Sequence, residues 1–504
     1  MTRCMKALLL ALVLTLFPLN PTSFAAAQLA QPFTLNISWK NVRVPFDAYR
    51  EEIDNYYCYM NERRFMGCMR FIESLTCALD PHSRLYVSYD GTPAQGEKKL
   101  DSWGIVMWSQ TQDPGECSPD TLQGRGNFDR LISYFQSLKG ANTPVTENAQ
   151  KIPFETIIDS LERKLKTVPN KTEIGIAAYQ QFLTWAFDPH SSLLPSKLFK
   201  FSGPSEPSPL PEKAQEKLQE KIAEIQAEKN ITTLIAKTPG LTLGYMKIDT
   251  FLADGLCNVA KKHLKVLIEQ KVQALVIDLR ENGGGSVEEG SCIASLFLGE
   301  KPIYGVRPVY HGVVDTQKPI EYKRAENAVE VALTSMPITV LTNEGSASMS
   351  EIFAGALQDH QRAWIVGQRS FGKGSMQVVT DWQPGVVILD TQNVLYEPTG
   401  WSHQGIGVPP DFEIPKTHGG EKCLATTAGE KHLYPFSLEA PLDDAEKAVA
   451  PGFPRGWKQQ RPALHAKIQA CAEAKIAAVK DWSQIKDYPL SYGVAVVACD
   501  LESP

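Results

Sequence analysis

The sequence has no excess of basic charge. Its formal net charge is −6 and its pI about 5.9, so it lacks the electrostatic footprint of a nucleic-acid binder. No C-x-x-C pair occurs among its ten cysteines, which argues against a zinc knuckle. No G-x-G-x-x-G occurs, so a dinucleotide fingerprint is missing. Past the first 27 residues, no stretch reaches the ~18 consecutive apolar residues of a membrane span. With 43% hydrophobic and 21% charged residues over 504 positions, the composition is that of a folded chain of roughly two to four domains.

The chain begins with Arg3 and Lys6, followed by the apolar run ALLLALVLTLF and an A-x-A site before Gln28. That order predicts a secretory signal peptide over 1–27, with export to the periplasm or cell envelope and a soluble mature protein. Nine cysteines follow the leader. An exported protein permits disulfides, and an odd count leaves at least one thiol unpaired.

Residues 28–201 read as a mainly helical region with an internal echo. "FIESLTCALDPHS" and "FLTWAFDPHSS" each end in a D-P-H-S segment, Asp80–Ser83 and Asp188–Ser191. Asp-Pro closes a helix, and we expect His82 and His190 to bond locally, because no Glu or His partners stand at metal-ligand spacing. Residues 202–231 hold the linker SGPSEPSPLP and a charged helix whose Ala214, Leu218, Ile222 and Ile225 form a narrow apolar stripe, expected to pack. From 232 to 415 strands and helices alternate, which predicts an α/β core with a parallel or mixed sheet. Its helix CNVAKKHLKVLIEQ places Val259, Leu264, Leu267 and Ile268 on the apolar side. Residues 416–504 form a small C-terminal extension with helix signals and no assignable chemistry.

Three stretches of the core carry chemical signals. In SASMSE a strand gives way to a helix, and Ser348 with Glu351 fits the S-x-x-E capping box. A serine there either caps the helix or, beside unpaired N–H groups and the positive helix end, attacks a carbonyl. In LVIDLRENGGG a buried strand runs into Gly283, Gly284 and Gly285, either a tight turn or a close approach to a ligand. Lys373 follows Gly367 and Gly372 on phosphate-loop spacing, yet Gly374 stands where that loop needs Ser or Thr. A buried lysine with a lowered pKa serves instead as the base for a serine, and Gln377 would orient it.

The run SASMSEIFAGALQDHQRAWIVGQRSFGKGSMQ, with LVIDLRENGGG upstream and YEPTGWSHQGIGVPPD downstream, resembles the carboxy-terminal processing, or tail-specific, serine proteases. DPHSSLLP resembles a segment these proteins carry in their N-terminal region. The resemblance implies a crotonase-like core, a Ser348 nucleophile, a Lys373 base and an orienting Gln377. It also implies oxyanion donors at the backbone N–H groups of Met349 and Gly284. Protein or peptide substrates follow from it, with no metal, organic cofactor, nucleotide or nucleic acid. Two features depart from the family. Asn282-Gly283-Gly284 replaces the usual N-P-G-G, which leaves the oxyanion glycine open by one position. The stretch between Ser192 and the first core strand is too short for the usual PDZ domain, so the helical N-terminal region is expected to gate the site. The competing classes are a non-catalytic peptide- or ligand-binding protein on the same core, and an esterase of small substrates.

Overall fold

Apolar runs buried on both sides build the spine of the core. The computed structural model describes residues 42, 44–50, 53, 62–79, 83–88, 105–110, 150–151, 154–196, 221–238, 241–310, 312–324, 336–414, 429–430, 438, 440, 461–479 and 487–503. The expected leader, the Asp80-Pro81-His82 turn, Ala214 and Leu218 lie outside these residues.

The N-terminal region contributes helices α1 (Phe46–Arg50), α2 (Glu62–Leu79), α3 (Phe154–Thr167) and α4 (Lys171–Ala186). Strands accompany these helices. Strands β1 (Ser83–Ser88), β2 (Ile105–Gln110) and β3 (Gln150–Lys151) form an antiparallel sheet, and β4 (Ser192–Pro195) follows the second D-P-H-S segment.

The core then runs β5 (Ile231–Thr238), β6 (Leu241–Ile248), α5 (Leu256–Glu269), β7 (Ala274–Asp278) and α6 (Val287–Leu298). It continues through β8 (Tyr304–Tyr310), β9 (Val313–Val314), β10 (Glu321–Lys323), β11 (Ile338–Thr342), α7 (Met349–Asp359) and β12 (Trp364–Gly367). Strands β13 (Ser375–Gln383), β14 (Val386–Tyr396) and β15 (Phe412–Glu413) precede α8 (Pro462–Ala477) and α9 (Tyr488–Leu501).

One six-stranded sheet has the order β15-β12-β11-β7-β6-β5. All its neighbours are parallel except the β5–β6 hairpin. Parallel neighbours require crossovers, which α5 and α7 supply. Every residue of β7 and β11 is buried, as expected of strands covered on both faces. Alternation divides those faces. Met246, Leu275, Ile277, Val340 and Ile365 pack with residues of α5, α6 and α7. Leu243, Ala274, Val276, Leu341 and Trp364 pack with Ile468, Ala472, Val496 and Val497 of α8 and α9. The C-terminal extension is thus the second covering layer of the core sheet.

A second sheet runs β10-β8-β14-β13, with β4 on β14 and β9 on β8. Through β4, the N-terminal helices dock beside it: Phe182, Leu183 and Leu193 share a core with Trp382, Val386 and Ile388.

Two packing expectations fail. Ile268 is 43% exposed although Val259, Leu264 and Leu267 of the same helix are buried. In the helix at 221–228, Ile222 and Ile225 are exposed, and Ala227 makes the buried contact instead. Disulfides join Cys257 to Cys292 and Cys471 to Cys499, tying α5 to α6 and α8 to α9. Among the described residues no helix is long and apolar enough to cross a membrane.

Because Ile468 fills the layer beneath the sheet, Ile468→Ala should cost about 2–5 kcal/mol. A denaturant titration followed by circular dichroism should show the main transition moved to lower denaturant. A separate early transition, with the main one unmoved, would mean the extension is not part of the core.

Candidate active site

Ser348 closes the loop between β11 and α7 and is the N-cap of α7. Its φ of 55° lies in the left-handed region, which a non-glycine residue occupies at a cost of about 1–3 kcal/mol. Neighbouring contacts hold it there. Ser346 Oγ donates to Leu279 O at 2.8 Å and Ser350 Oγ donates to Asn282 O at 2.8 Å. Ala347 N donates to the same Asn282 carbonyl at 3.0 Å. The turn after β7 is therefore bolted to the start of α7 by the two serines that flank Ser348. Gly284 completes the fit: at φ +103° a Cβ there would meet Ala347 O at 2.7 Å and Ser348 Cβ at 2.8 Å.

Of the capping box predicted from S-x-x-E, the Glu351 half is seen as a hydrogen bond to Ser348 N–H, while the Ser348 side chain makes no cap bond. The glutamate does more than cap. Glu351, fully buried, accepts Ser348 N–H on Oε2 at 2.8 Å and Lys373 N–H on the same oxygen at 2.8 Å. Its Oε1 accepts Gly372 N–H at 2.6 Å and Ser370 Oγ–H at 2.5 Å. The serine and the lysine therefore have backbone nitrogens no further apart than twice one hydrogen bond.

This arrangement also disposes of the phosphate-loop reading. The amides that would cradle a phosphate are already taken by a carboxylate, and a strand, β13, follows the loop where a helix would be required.

Lys373 is 2% exposed. Its Nζ donates to Gln377 Oε1 at 2.8 Å and to Ser375 O at 3.0 Å. Gln377 is held in turn, its Nε2 donating to Thr391 Oγ1 at 2.9 Å and Ser375 Oγ at 3.0 Å. Burial holds the Lys373 ammonium below the ordinary lysine range, while Asp188, Glu430 and Glu351 pull the other way. The main chain is fixed as well, since Lys373 O accepts His403 Nε2–H at 3.1 Å and Gly374 N donates to Gln404 Oε1 at 2.6 Å. His403 is backed by Glu397 at 2.6 Å, whose carboxyl burial pushes up to about 8.

Sequence reasoning missed one side of the site. His190 does not bond only locally. Its backbone N–H donates to Asp188 Oδ1 at 2.9 Å, but its ring meets Glu430, with Nε2 at 3.0 Å from both carboxyl oxygens. Burial first and the Lys373 charge second push His190 down to about 3, and burial lifts Glu430 to about 8. Asp188 reaches the same cluster through Ser375 Oγ, 3.4 Å from Oδ1. The DPHS segment was a visible signal for Asp188 and His190. Nothing around Glu430 marked it.

Of the expected residues, Lys373 and Gln377 are in direct contact and Ser348 is tied to Lys373 through Glu351. Among the described residues no direct Ser348–Lys373 hydrogen bond is formed. Met349 N–H is the first of α7, where no intrahelical acceptor exists. Gly284 N–H is committed to Asn282 Oδ1 at 2.9 Å, so as an oxyanion donor it would first have to leave that bond.

Comparison with known proteins locates this constellation. Residues 242–414 match the sequence profile of peptidase family S41. Relatives of this chain include the tail-specific protease of Haemophilus influenzae, 35% identical over 191 residues, which are 36% of this chain and 26% of the relative. The carboxyl-terminal-processing protease of Synechocystis is 38% identical over 173 residues, 34% of this chain and 38% of that one. The chain thus spans well under half the length of these relatives. Among solved structures, a photosystem II D1 C-terminal processing protease is 30% identical over 37% of this chain and 48% of its own, with a TM-score of 0.32. Ser348, Lys373, Gln377 and Glu351 lie inside the matched span, whereas Asp188, His190 and Glu430 reach it from outside.

The flanking serines each add a hydrogen bond to a buried carbonyl, so Ser346→Ala and Ser350→Ala should each cost about 0.5–1.5 kcal/mol of stability, read as a lower denaturant midpoint. Unchanged midpoints in both would remove the bolting role assigned to them.

Proposed function

We propose that this chain is a serine endopeptidase in which Ser348 is the nucleophile, Lys373 the general base and Gln377 the residue that orients the base. The observation that carries this reading is the shared Glu351 oxygen, which draws Ser348 and a buried, Gln377-bound Lys373 together. A sheet of parallel strands covered by helices on both faces supports a crotonase-like core. The leader-like first 27 residues support export to the periplasm or cell envelope.

The reaction begins with Lys373 as a neutral amine, the form that burial favours. Both its N–H groups are engaged, by Gln377 and the Ser375 carbonyl, which aims the lone pair elsewhere. Rotation of the side chain as substrate binds would bring that lone pair to Ser348 Oγ; apo geometries often tighten in this way. The serine attacks the peptide carbonyl to form an acyl-enzyme, and the oxyanion is received at the N-terminus of α7 by Met349 N–H, with Gly284 N–H as second donor once released from Asn282. Lys373, now charged, returns the proton to the leaving amine.

The alternative of a non-catalytic binding protein on the same core is decided by loss of function. Ser348→Ala should lower kcat by about 10⁴-fold or more without unfolding the protein. Lys373→Arg should be nearly inactive, because a guanidinium stays protonated. The parent rate should rise with pH through one ionisation below the unperturbed lysine value of ~10.4, since deprotonation makes the base. Cleavage of an unfolded protein, assayed by mapping its fragments, checks all three. Near-normal cutting by either variant would sink the proposal.

With no PDZ domain expected between Ser192 and the core, cleavage should depend weakly on the substrate's last few residues. Peptides differing only in their three C-terminal residues test this. A large ordered preference in kcat/KM would mean that another part of this chain reads the tail.

A further inference from the structure

Proton transfer from Ser348 leaves a problem that the three residues above do not solve. The Ser348 Oγ–H bond breaks and its proton joins the lone pair of neutral Lys373 Nζ. The freed oxygen pair forms the Oγ–C bond, and the carbonyl π pair moves to the substrate oxygen. An ammonium and an oxyanion replace two neutral partners. The oxyanion has its N–H donors. The ammonium gains a third N–H and a full charge in a place 2% exposed, and neither Gln377 Oε1 nor Ser375 O is anionic.

The charged and titratable groups facing Lys373 come from four elements. They are Asp188 and His190 in the turn after α4, Glu351 in α7, His403 after β14, and Glu430 in the 429–430 segment. Glu351 already holds four donors on its two oxygens. Both oxygens of Glu430 face His190 Nε2. Neither histidine supplies negative charge. Asp188 is different. Its Oδ1 accepts His190 N–H and Ser375 Oγ–H, while its Oδ2, fully buried, has no partner among the described residues. Ser375 links the two groups, taking Lys373 Nζ on its carbonyl and reaching Asp188 with its hydroxyl.

We propose that Asp188 is a positioning residue for Lys373, its carboxylate receiving the ammonium that forms when Lys373 takes the Ser348 proton. This rests on the Ser348–Lys373 reading above. It gives the D-P-H-S segment a part in the reaction: the turn that ends α4 presents an anion to the back of the base. The direction in which the Asp188 charge moves Lys373 agrees with that part.

The test is Asp188→Asn, which keeps an acceptor for His190 N–H and removes the charge. Asp188→Ser, neutral and also able to accept that bond, carries the same test if the Asn variant does not fold. Lys373 is titrated directly by NMR of protein labelled with ¹³C at the lysine Cε, in the Ser348→Ala background, with its signal assigned by Lys373→Arg. Removing the neighbouring anion should lower the Lys373 midpoint by about one pH unit or more. In the active protein the same substitution should cut kcat/KM by about 10-fold or more and move the rising limb of the pH profile to lower pH. An unchanged midpoint in a folded variant overturns the assignment, whatever the loss of rate, because a purely structural role would slow cleavage without moving the titration. The titration needs no cleavage. A shifted midpoint in a parent protein that cuts nothing would therefore overturn the protease reading and leave the Asp188–Lys373 pair standing.

Discussion

A carboxylate that water cannot reach organises this molecule. Leaving the Glu351 charge buried and unpaired would cost several kcal/mol. Four donors converge on it instead, from Ser348, Ser370, Gly372 and Lys373. Each donor is fixed to a segment that would otherwise be free to move. The start of α7 and the loop before β13 are locked together because they satisfy one charge. The loop must then run with positive φ at Gly372, where a Cβ would crowd the backbone of Gly405 to Gly407.

Sheet topology explains why those segments were within reach of one carboxylate. Strands β7, β11 and β12 are parallel neighbours, so all three end at the same edge of the sheet. From those ends leave the glycine turn, the Ser348 loop and the Lys373 loop. Ligand sites in parallel α/β sheets lie outside the carboxyl ends of the strands for this reason. Helices on both faces leave that edge as the place where loops converge, and the second layer, α8 and α9, comes from residues whose purpose was not visible in the sequence.

What could be read from the sequence follows the range of each interaction. The β7 and β11 runs, the Glu351 half of the S-x-x-E cap and the Lys373–Gln377 pair depend on neighbours within a few positions, and all are in place. Ile268, Ile222 and Ile225 were assigned to packed faces by helical spacing, but spacing gives the face and not the partner, and each is left about half exposed. The D-P-H-S segment was visible, but the meeting of Asp188 and His190 with Ser375 and Glu430 was beyond reach for a different reason. The His190–Glu430 contact joins residues 240 apart and the Ser375–Asp188 contact residues 187 apart. No local pattern encodes such a meeting. Ser346 and Ser350 lay in plain view, yet their carbonyl partners sit on another strand end.

The sequence alone offered Ser348 as a cap or as a nucleophile, and the geometry makes these compatible. Glu351, at the third helical position, is an anion beside the positive end of α7, where it is stabilised by the dipole. It takes the Ser348 N–H and leaves the Met349 N–H, next along the helix, without an intrahelical acceptor. The cap thereby sorts the donors of the helix end: one is bound to the Glu351 carboxylate and the next is left outside the helical ladder. The positive φ at Ser348 belongs to the same arrangement. It is the conformation that lets the chain turn from β11 into α7 while the Gly284 backbone presses against it, and the bonds of Ser346, Ala347 and Ser350 offset its cost. Strain and cap are both consequences of placing one serine at the first turn of a helix that starts at the sheet edge.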